Sequence, residues 1–240
     1  MPLSELIAVG WTEKDGLLRE TRLSALGLRH GFTTRRFGNM KSPELREKAA
    51  GLLGLTAPLT LKQVHATAIL DAAVENAGKE ADGWLLSKPG LSIAVYVADC
   101  VPLFLWSDDG KAAGVFHAGW RGTARGMAKA AVSAFRERLG ITASRLSAAA
   151  GPHAGACCYK VGPDLEKEFP ASAFVRRDGA LYLDLAAQTR RQLIEAGVPA
   201  VNVDVSAPCT ISNPDDYFSF RRDKQDARML ALLSTDRWPS

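Results

Sequence analysis

The sequence predicts a mixed α/β protein, either one mixed sheet or two packed sheets with helices outside. Three observations predict it. Apolar runs of strand length recur along the chain, led by residues 91–98. Apolar residues also recur at helical spacing, most clearly between Met127 and Leu139. The two kinds of segment mix without a strict βαβ alternation. The 240 residues suffice for one domain with a substantial core and are too few to make two the default. No internal repeat or low-complexity linker interrupts them, so residues 1–240 read as a single domain.

Ser42-Pro43 reads as a helix N-cap followed by proline at the first helical position, and Leu45, Ala49, Leu52 and Leu53 give one apolar face after it. Residues 59–70 are rich in Thr, Val, Ile and Leu, carry His65, and read as strand. Residues 91–98 are the nearly unbroken apolar run expected of a strand buried on both faces. Residues 102–106 continue extended, Asp108-Asp109-Gly110 is a hairpin turn signal, and residues 112–117 form the return strand. Ala118-Gly119-Trp120-Arg121-Gly122 is too glycine-rich for strand or helix and reads as a loop. A helix carrying Met127, Ala130, Ala131, Ala134, Phe135 and Leu139 follows and stops at Gly140. A helix near 185–196, a strand near 201–205 and a last helix near 226–233 complete the order.

Hydrophobic residues make up 47% and charged residues 23%, which excludes wholesale disorder. The net charge of +4 is mild and suits a phosphorylated or otherwise anionic small molecule. No dense Lys/Arg stripe is present, so no nucleic-acid partner is expected. No window reaches the roughly 18 consecutive apolar residues of a membrane span. Residues 1–10 lack the basic start and apolar run of a secretory signal. The expected setting is therefore the cytoplasm, with no membrane partner. There, Cys100, Cys157, Cys158 and Cys209 are expected to be thiols or ligands rather than bridges.

The hairpin brings two reactive residues together. Paired positions in a hairpin sum to a nearly constant number, and a loop of two to four residues here gives about 217 to 219. Cys100 and His117 sum to 217, so they are expected nearly opposite each other on one face. A bulge at Pro102 would shift that by one. An imidazole facing a thiol can lower its pKa and make a thiolate nucleophile. The same pair can instead bind a borderline-soft metal such as zinc. His65, in Lys62-Gln63-Val64-His65, is the best placed third ligand, and three protein ligands leave a fourth position open for water or substrate. The plain alternative is a buried thiol beside a hydrogen-bonded core histidine.

Other features are less specific. Gly119-Trp120-Arg121-Gly122-Thr123 precedes a helix, and Arg121 with that helix start suits an anion. Asp99 either orients a ligand or closes a strand end. Cys157 and Cys158 are adjacent, so in a strand they would point to opposite faces and at most one would face a given site. Phe218-Ser219-Phe220-Arg221-Arg222 could stack a base or hold phosphate, although its pattern reads first as a strand edge.

Lys62-Gln63-Val64-His65, Ala98-Asp99-Cys100-Val101-Pro102 and His117-Ala118-Gly119-Trp120-Arg121-Gly122 together resemble the bacterial YfiH/YlmD-like family. Its members have been labelled laccase-domain or polyphenol oxidase proteins, purine nucleoside phosphorylases and peptidoglycan editing factors. His30-Gly31-Phe32-Thr33-Thr34-Arg35, Cys157-Cys158-Tyr159, Cys209-Thr210 and Phe218 to Arg222 with Arg228 extend the resemblance over nearly the whole chain. It implies α/β/β/α layers around a mixed β-sandwich, of cysteine-hydrolase-like type, and a zinc site at His65, Cys100 and His117. The implied reactions are phosphorolysis of adenosine, inosine and S-methyl-5'-thioadenosine, and deamination of adenosine. A second implied reaction is amide hydrolysis removing L-serine from a UDP-muramyl precursor. The chain departs from the family pattern in a shortened loop after Arg35, at Ala156 and His153, and at Ala227.

A multicopper oxidase needs far more histidines than His30, His65, His117 and His153, since imidazole is the dominant copper ligand. Copper remains open as a single ion and not as a multicopper cluster. With the resemblance, the expected catalytic and metal-binding residues are His65, Cys100 and His117, with Arg35, Gln63, Asp99 and Arg121 on the substrate.

Overall fold

The computed structural model of the protein describes residues 10–234, so the leader reading of residues 1–10 lies, Gly10 apart, outside the described residues. In chain order the elements are β1 (Trp11–Lys14), β2 (Leu17–Glu20), α1 (Thr21–Ala25), β3 (Arg29–Thr33), α2 (Pro43–Gly51), β4 (Ile69–Asp71) and β5 (Gly83–Leu86). There follow β6 (Ser92–Val97), β7 (Val101–Ser107), β8 (Ala113–Ala118), α3 (Trp120–Ala124), α4 (Met127–Leu139), β9 (Leu146–Ala150) and β10 (Lys160–Val161). The chain continues through β11 (Phe174–Arg177), β12 (Ala180–Leu183), α5 (Leu185–Glu195), β13 (Val203–Asp204), α6 (Phe220–Asp223) and β14 (Met229–Ser234).

Two large sheets result. One is antiparallel, in the order β1-β2-β3-β14-β6; the other is mixed, in the order β13-β9-β7-β8-β5-β4. Side-chain alternation sorts the apolar residues into three layers. Phe32, Val95, Ala231 and Leu233 from the first sheet meet Trp84, Phe104, Trp106 and Val115 from the second in the central layer. On the outer face of the second sheet, Leu103, Leu105 and Phe116 pack on Met127, Ala131 and Phe135 of α4 and Leu185 and Leu193 of α5. On the outer face of the first, Leu17, Ala94, Leu230 and Leu232 pack on Ala49 and Ala50 of α2. The layers are therefore α/β/β/α, and each sheet is apolar on both faces. Ser42 caps α2 with Pro43 behind it and Gly140 ends α4 at φ 68°, as their sequence signals require. Leu52, placed on the apolar face of α2, is instead 44% exposed.

Several expectations are corrected. Residues 226–233 are not a helix: β14 is the strand between β3 and β6. Met, Leu and Ala are good helix formers, but a six-residue apolar run buried on both sides is too short to gain from helix formation and completes the sheet instead. Residues 59–70 are not one strand. Leu59 and Lys62 make single bridges, His65 sits at φ 58°, and only Ile69–Asp71 is strand. Residues 120–124 form a short helix rather than a loop, and Phe220–Asp223 is a helical turn rather than a strand edge. Residues 201–205 shrink to β13, a two-residue strand parallel to β9.

Candidate active site

The β7–β8 register pairs Pro102 with His117, a sum of 219, so Cys100 falls opposite Gly119 just before β7 begins. The sum lies within the expected range, and Cys100 and His117 are near each other but not directly paired. The offset is two residues, which preserves the face, and the two side chains still meet diagonally. His65 arrives from the irregular 59–70 segment. The Cys100 thiol and one nitrogen each of His65 and His117 lie within 4.8 Å of one another. The two imidazoles meet edge to face, with centroids 4.8 Å apart.

Asp82, a residue the sequence reading missed, organises this convergence. It precedes β5 and is fully buried. Its carboxylate accepts the backbone N–H groups of Val64 (3.2 Å), His65 (2.9 Å) and Ala66 (2.7 Å), and Oδ1 lies 2.8 Å from His117 Nδ1. A non-glycine residue in the left-handed region, as His65 is, costs about 1–3 kcal/mol. Hydrogen bonds to a charged acceptor contribute about 1.5–3 kcal/mol each. Three of them outweigh the strain and hold His65 in place.

Gly119 supplies the space. A Cβ built on it would sit 2.9 Å from both Cys100 Sγ and His65 Nδ1. Gly122 lets α3 approach the His65 segment, with a Cβ there 3.0 Å from the Ala66 carbonyl oxygen.

The electrostatics follow from burial and pairing. Burial pushes the Cys100 thiol up, but the His117 charge and hydrogen bonds from both imidazoles pull it down to about 6. Burial opposes charge on His117, but Cys100 and Asp82 raise it to about 9. Asp82 is also disfavoured by burial, yet its bonds to His117 and to the backbone hold it below the usual carboxylate range. Without a metal, these contacts favour carboxylate, imidazolium and thiolate along Asp82–His117–Cys100.

The three residues lie at a cavity of about 650 Å³, within the size of small-molecule sites. Of the other expected substrate residues, Gln63, Asp99 and Arg121 line it. Gln63 directs its amide at β6, donating to the Tyr96 carbonyl (2.9 Å) and accepting from the Tyr96 N–H (2.7 Å). Asp99 accepts the Thr210 hydroxyl (2.7 Å) and the Arg221 N–H (2.7 Å), and so fixes the turn before Cys100. Arg121 is exposed and lies over the Trp120 ring. Arg35 is not among the lining residues: it donates to the Pro214 carbonyl (3.1 Å) and stacks on Phe218. Lys41, Phe220, Arg221, Lys224 and Arg228 complete a strongly cationic wall. The helix start expected to bind an anion belongs to the five-residue α3, too short for a substantial dipole, so the attraction rests on side chains.

His30 and His153 serve the fold. His30 accepts the Glu20 N–H and meets the Leu28 carbonyl, and His153 meets the Gly151 carbonyl. Burial holds both below the ordinary histidine range.

A sandwich with a thiol and two imidazoles lining one cationic cavity defines an enzyme-like site for a small molecule. The chain belongs to the family described as multi-copper polyphenol oxidoreductase laccase, whose profile matches residues 41–236. A purine nucleoside phosphorylase of Xylella fastidiosa (strain 9a5c) is 37% identical over 201 residues, covering 78% of this chain and 76% of that protein. Adenosine deaminase RL5, from an unknown prokaryotic organism, is 38% identical over 141 residues, 55% of this chain and 53% of that one. The crystal structure of YlmD from Geobacillus stearothermophilus superposes with a TM-score of 0.85 at 28% identity, covering 95% of this chain and 99% of that one. These names place the family among nucleoside-processing enzymes. Among the described residues, no helix is long and apolar enough to cross a membrane.

Proposed function

We propose that the protein is a zinc-dependent purine nucleoside enzyme that phosphorolyses adenosine, inosine and S-methyl-5'-thioadenosine and deaminates adenosine. The observation that carries this reading is the joining of His65, Cys100 and His117 to a cationic, aromatic-edged cavity of nucleoside size. The donor set fits the metal: His65, Cys100 and His117 would hold it, one thiolate and two imidazoles suit zinc, and Asp82 orients His117 from behind as ligating histidines require. When bound, zinc supplies Lewis acidity at the floor of the cavity.

The chain's own residues do the rest. Phe220 and Trp120, whose rings carry Lys224 and Arg228 and Arg121 respectively, line the cavity where a purine would stack. Arg121, Arg221 and Lys224 bind phosphate and hold an oxygen toward the ribose C1'. In phosphorolysis a phosphate oxygen forms a bond to C1', the C1'–N9 bond breaks, and the base leaves with a proton. In deamination water adds at the purine C6 and ammonia departs. Asp99 has both oxygens engaged and acts by holding the Cys100 turn.

A second reading is favoured by one observation. Asp82, His117 and Cys100 form an orienter–base–nucleophile chain, which suits a thiolate amidase acting on an L-serine-bearing UDP-muramyl precursor. Metal dependence separates the two. Protein loaded with zinc should release free base from inosine and phosphate, and chelated protein should not. Chelated protein that keeps its activity and releases serine from the muramyl precursor would replace the first reading with the second. The cytoplasm, where nucleosides, phosphate and UDP-muramyl precursors all occur, is the proposed site of action.

A further inference from the structure

A second cluster of metal-ligating side chains lies outside the cavity. Cys157, Cys158 and Cys209 present their sulfurs within 4.8 Å of one another, and none is in a disulfide. The expectation that adjacent cysteines point to opposite faces fails because residues 155–158 form a turn, not a strand: the Cys158 and Tyr159 N–H groups both donate to the Gly155 carbonyl. Gly155 eases that approach, since a Cβ on it would lie 3.3 Å from Cys209 Cβ and 3.4 Å from Cys157 Sγ. Cys209 is fixed by a bridge to His153, by the bond from the Thr210 N–H to the His153 carbonyl, and by the Gly155 N–H, which donates to its sulfur at 3.2 Å. Arg177 donates to the Cys157 carbonyl at 2.8 Å, and Arg222 donates to the Thr210 carbonyl at 2.8 Å. Two guanidinium groups therefore stand beside a cluster that gains negative charge when its thiols ionise.

We propose that Cys157, Cys158 and Cys209 form a second metal site, for a thiophilic monovalent cation of the Cu(I) type. The donor set selects the ion. Soft thiolates favour Cu(I) and zinc over harder cations. Structural zinc sites are closed by four protein ligands, whereas the group here offers three sulfurs, enough for trigonal Cu(I). A backbone N–H on a ligating sulfur is the outer-shell contact that orients such ligands. Cys157 is exposed, which gives the ion an entry path. Binding exchanges thiol protons for the metal, with no change in oxidation state.

The test is an anaerobic titration of the full-length, zinc-loaded, fully reduced protein with Cu(I) against a chromogenic Cu(I) chelator. Wild type and Cys100→Ala should each withdraw one equivalent of Cu(I), and X-ray absorption should show sulfur-only neighbours. Cys209→Ser and, separately, the exposed Cys157→Ser should each weaken capture at least 100-fold while leaving release of base from inosine unchanged. Capture that persists in both serine variants, or that disappears with Cys100→Ala, would overturn the proposal. So would tighter capture of zinc than of Cu(I) at the three cysteines. Because Cu(I) capture is read apart from nucleoside turnover, loss of the nucleoside reading would leave this result standing.

Discussion

Asp82 Oδ1 lies 2.8 Å from His117 Nδ1, and this contact decides which nitrogen of His117 faces Cys100. The same carboxylate gathers the N–H groups of residues 64–66, so one buried charge sets the orientation of His117 and the position of His65 together. Asp82→Asn keeps an acceptor oxygen but loses the charge. It should weaken zinc binding about 10- to 100-fold, the usual cost of removing an outer-shell partner. Competition with a zinc-binding dye measures this, and an unchanged affinity would remove Asp82 from the site.

The thiolate offers a direct pH test. In metal-free protein, alkylation of Cys100 should rise through pH about 6, because the neighbouring imidazoles favour the ionised thiol against burial. An ordinary cysteine would rise near about 8.5. Iodoacetamide labelling, read by mass spectrometry of the Cys100 peptide across pH 4–10, gives the midpoint. Zinc should protect Cys100 throughout. A midpoint near the ordinary value would mean that His117 does not carry the charge assigned to it.

Gly119→Ala tests the geometry without touching a ligand. Its Cβ would fall 2.9 Å from both Cys100 Sγ and His65 Nδ1, closer than real contacts allow. Gly119 has an ordinary φ of −72°, so alanine introduces no backbone strain. Zinc affinity and activity should therefore fall at least tenfold while the melting temperature shifts little. A large stability loss with zinc binding intact would mean that the strand moves and the ligands do not.

Arg121 divides the two proposed nucleoside reactions. It lines the cavity and stacks on Trp120, with its side chain exposed to an incoming anion. Arg121→Ala should raise the KM for phosphate in phosphorolysis about tenfold, as expected for loss of a charge-assisted contact of about 1.4 kcal/mol or more. Adenosine deamination uses no phosphate and should change less than twofold. Equal losses in both reactions would assign Arg121 to the nucleoside instead.

The legible parts of this fold were those with local causes. The Ser42-Pro43 start, the Gly140 stop and the Asp109 hairpin are written in adjacent residues, and the hairpin alone brought Cys100 to the face of His117. What escaped depends on partners distant in sequence. The Met, Leu and Ala of β14 favour a helix, while its two flanking strands, β3 and β6, lie more than 130 residues away. The segment around His65 reads as strand from its Thr, Val, Ile and Leu content, which does not show that Asp82 holds its backbone in a left-handed turn. The cationic wall was hidden for the same reason: Lys41, Arg121 and Lys224 are scattered in sequence and converge only across the mouth of the sandwich.

His30 links the fold to acid stability. It is buried, accepts the Glu20 N–H at 2.7 Å, and is lowered to about 4 chiefly by desolvation. Between pH 6.5 and 4 the unfolded chain takes up a proton at this histidine and the folded protein does not. Stability should therefore fall as the pH drops through that window, by about 3 kcal/mol from this group, and the contribution should level off below pH 4. His30→Gln retains an acceptor for Glu20 and a donor for Leu28 but cannot titrate. It should start less stable at pH 7, by about 1–3 kcal/mol for imperfect bonds in a tight site, and lose less on acidification. Urea unfolding of both proteins at pH 7, 5.5 and 4.5 gives the comparison. Parallel losses in the two would place the acid sensitivity at another buried group, with His153, also held low by burial, the next to replace.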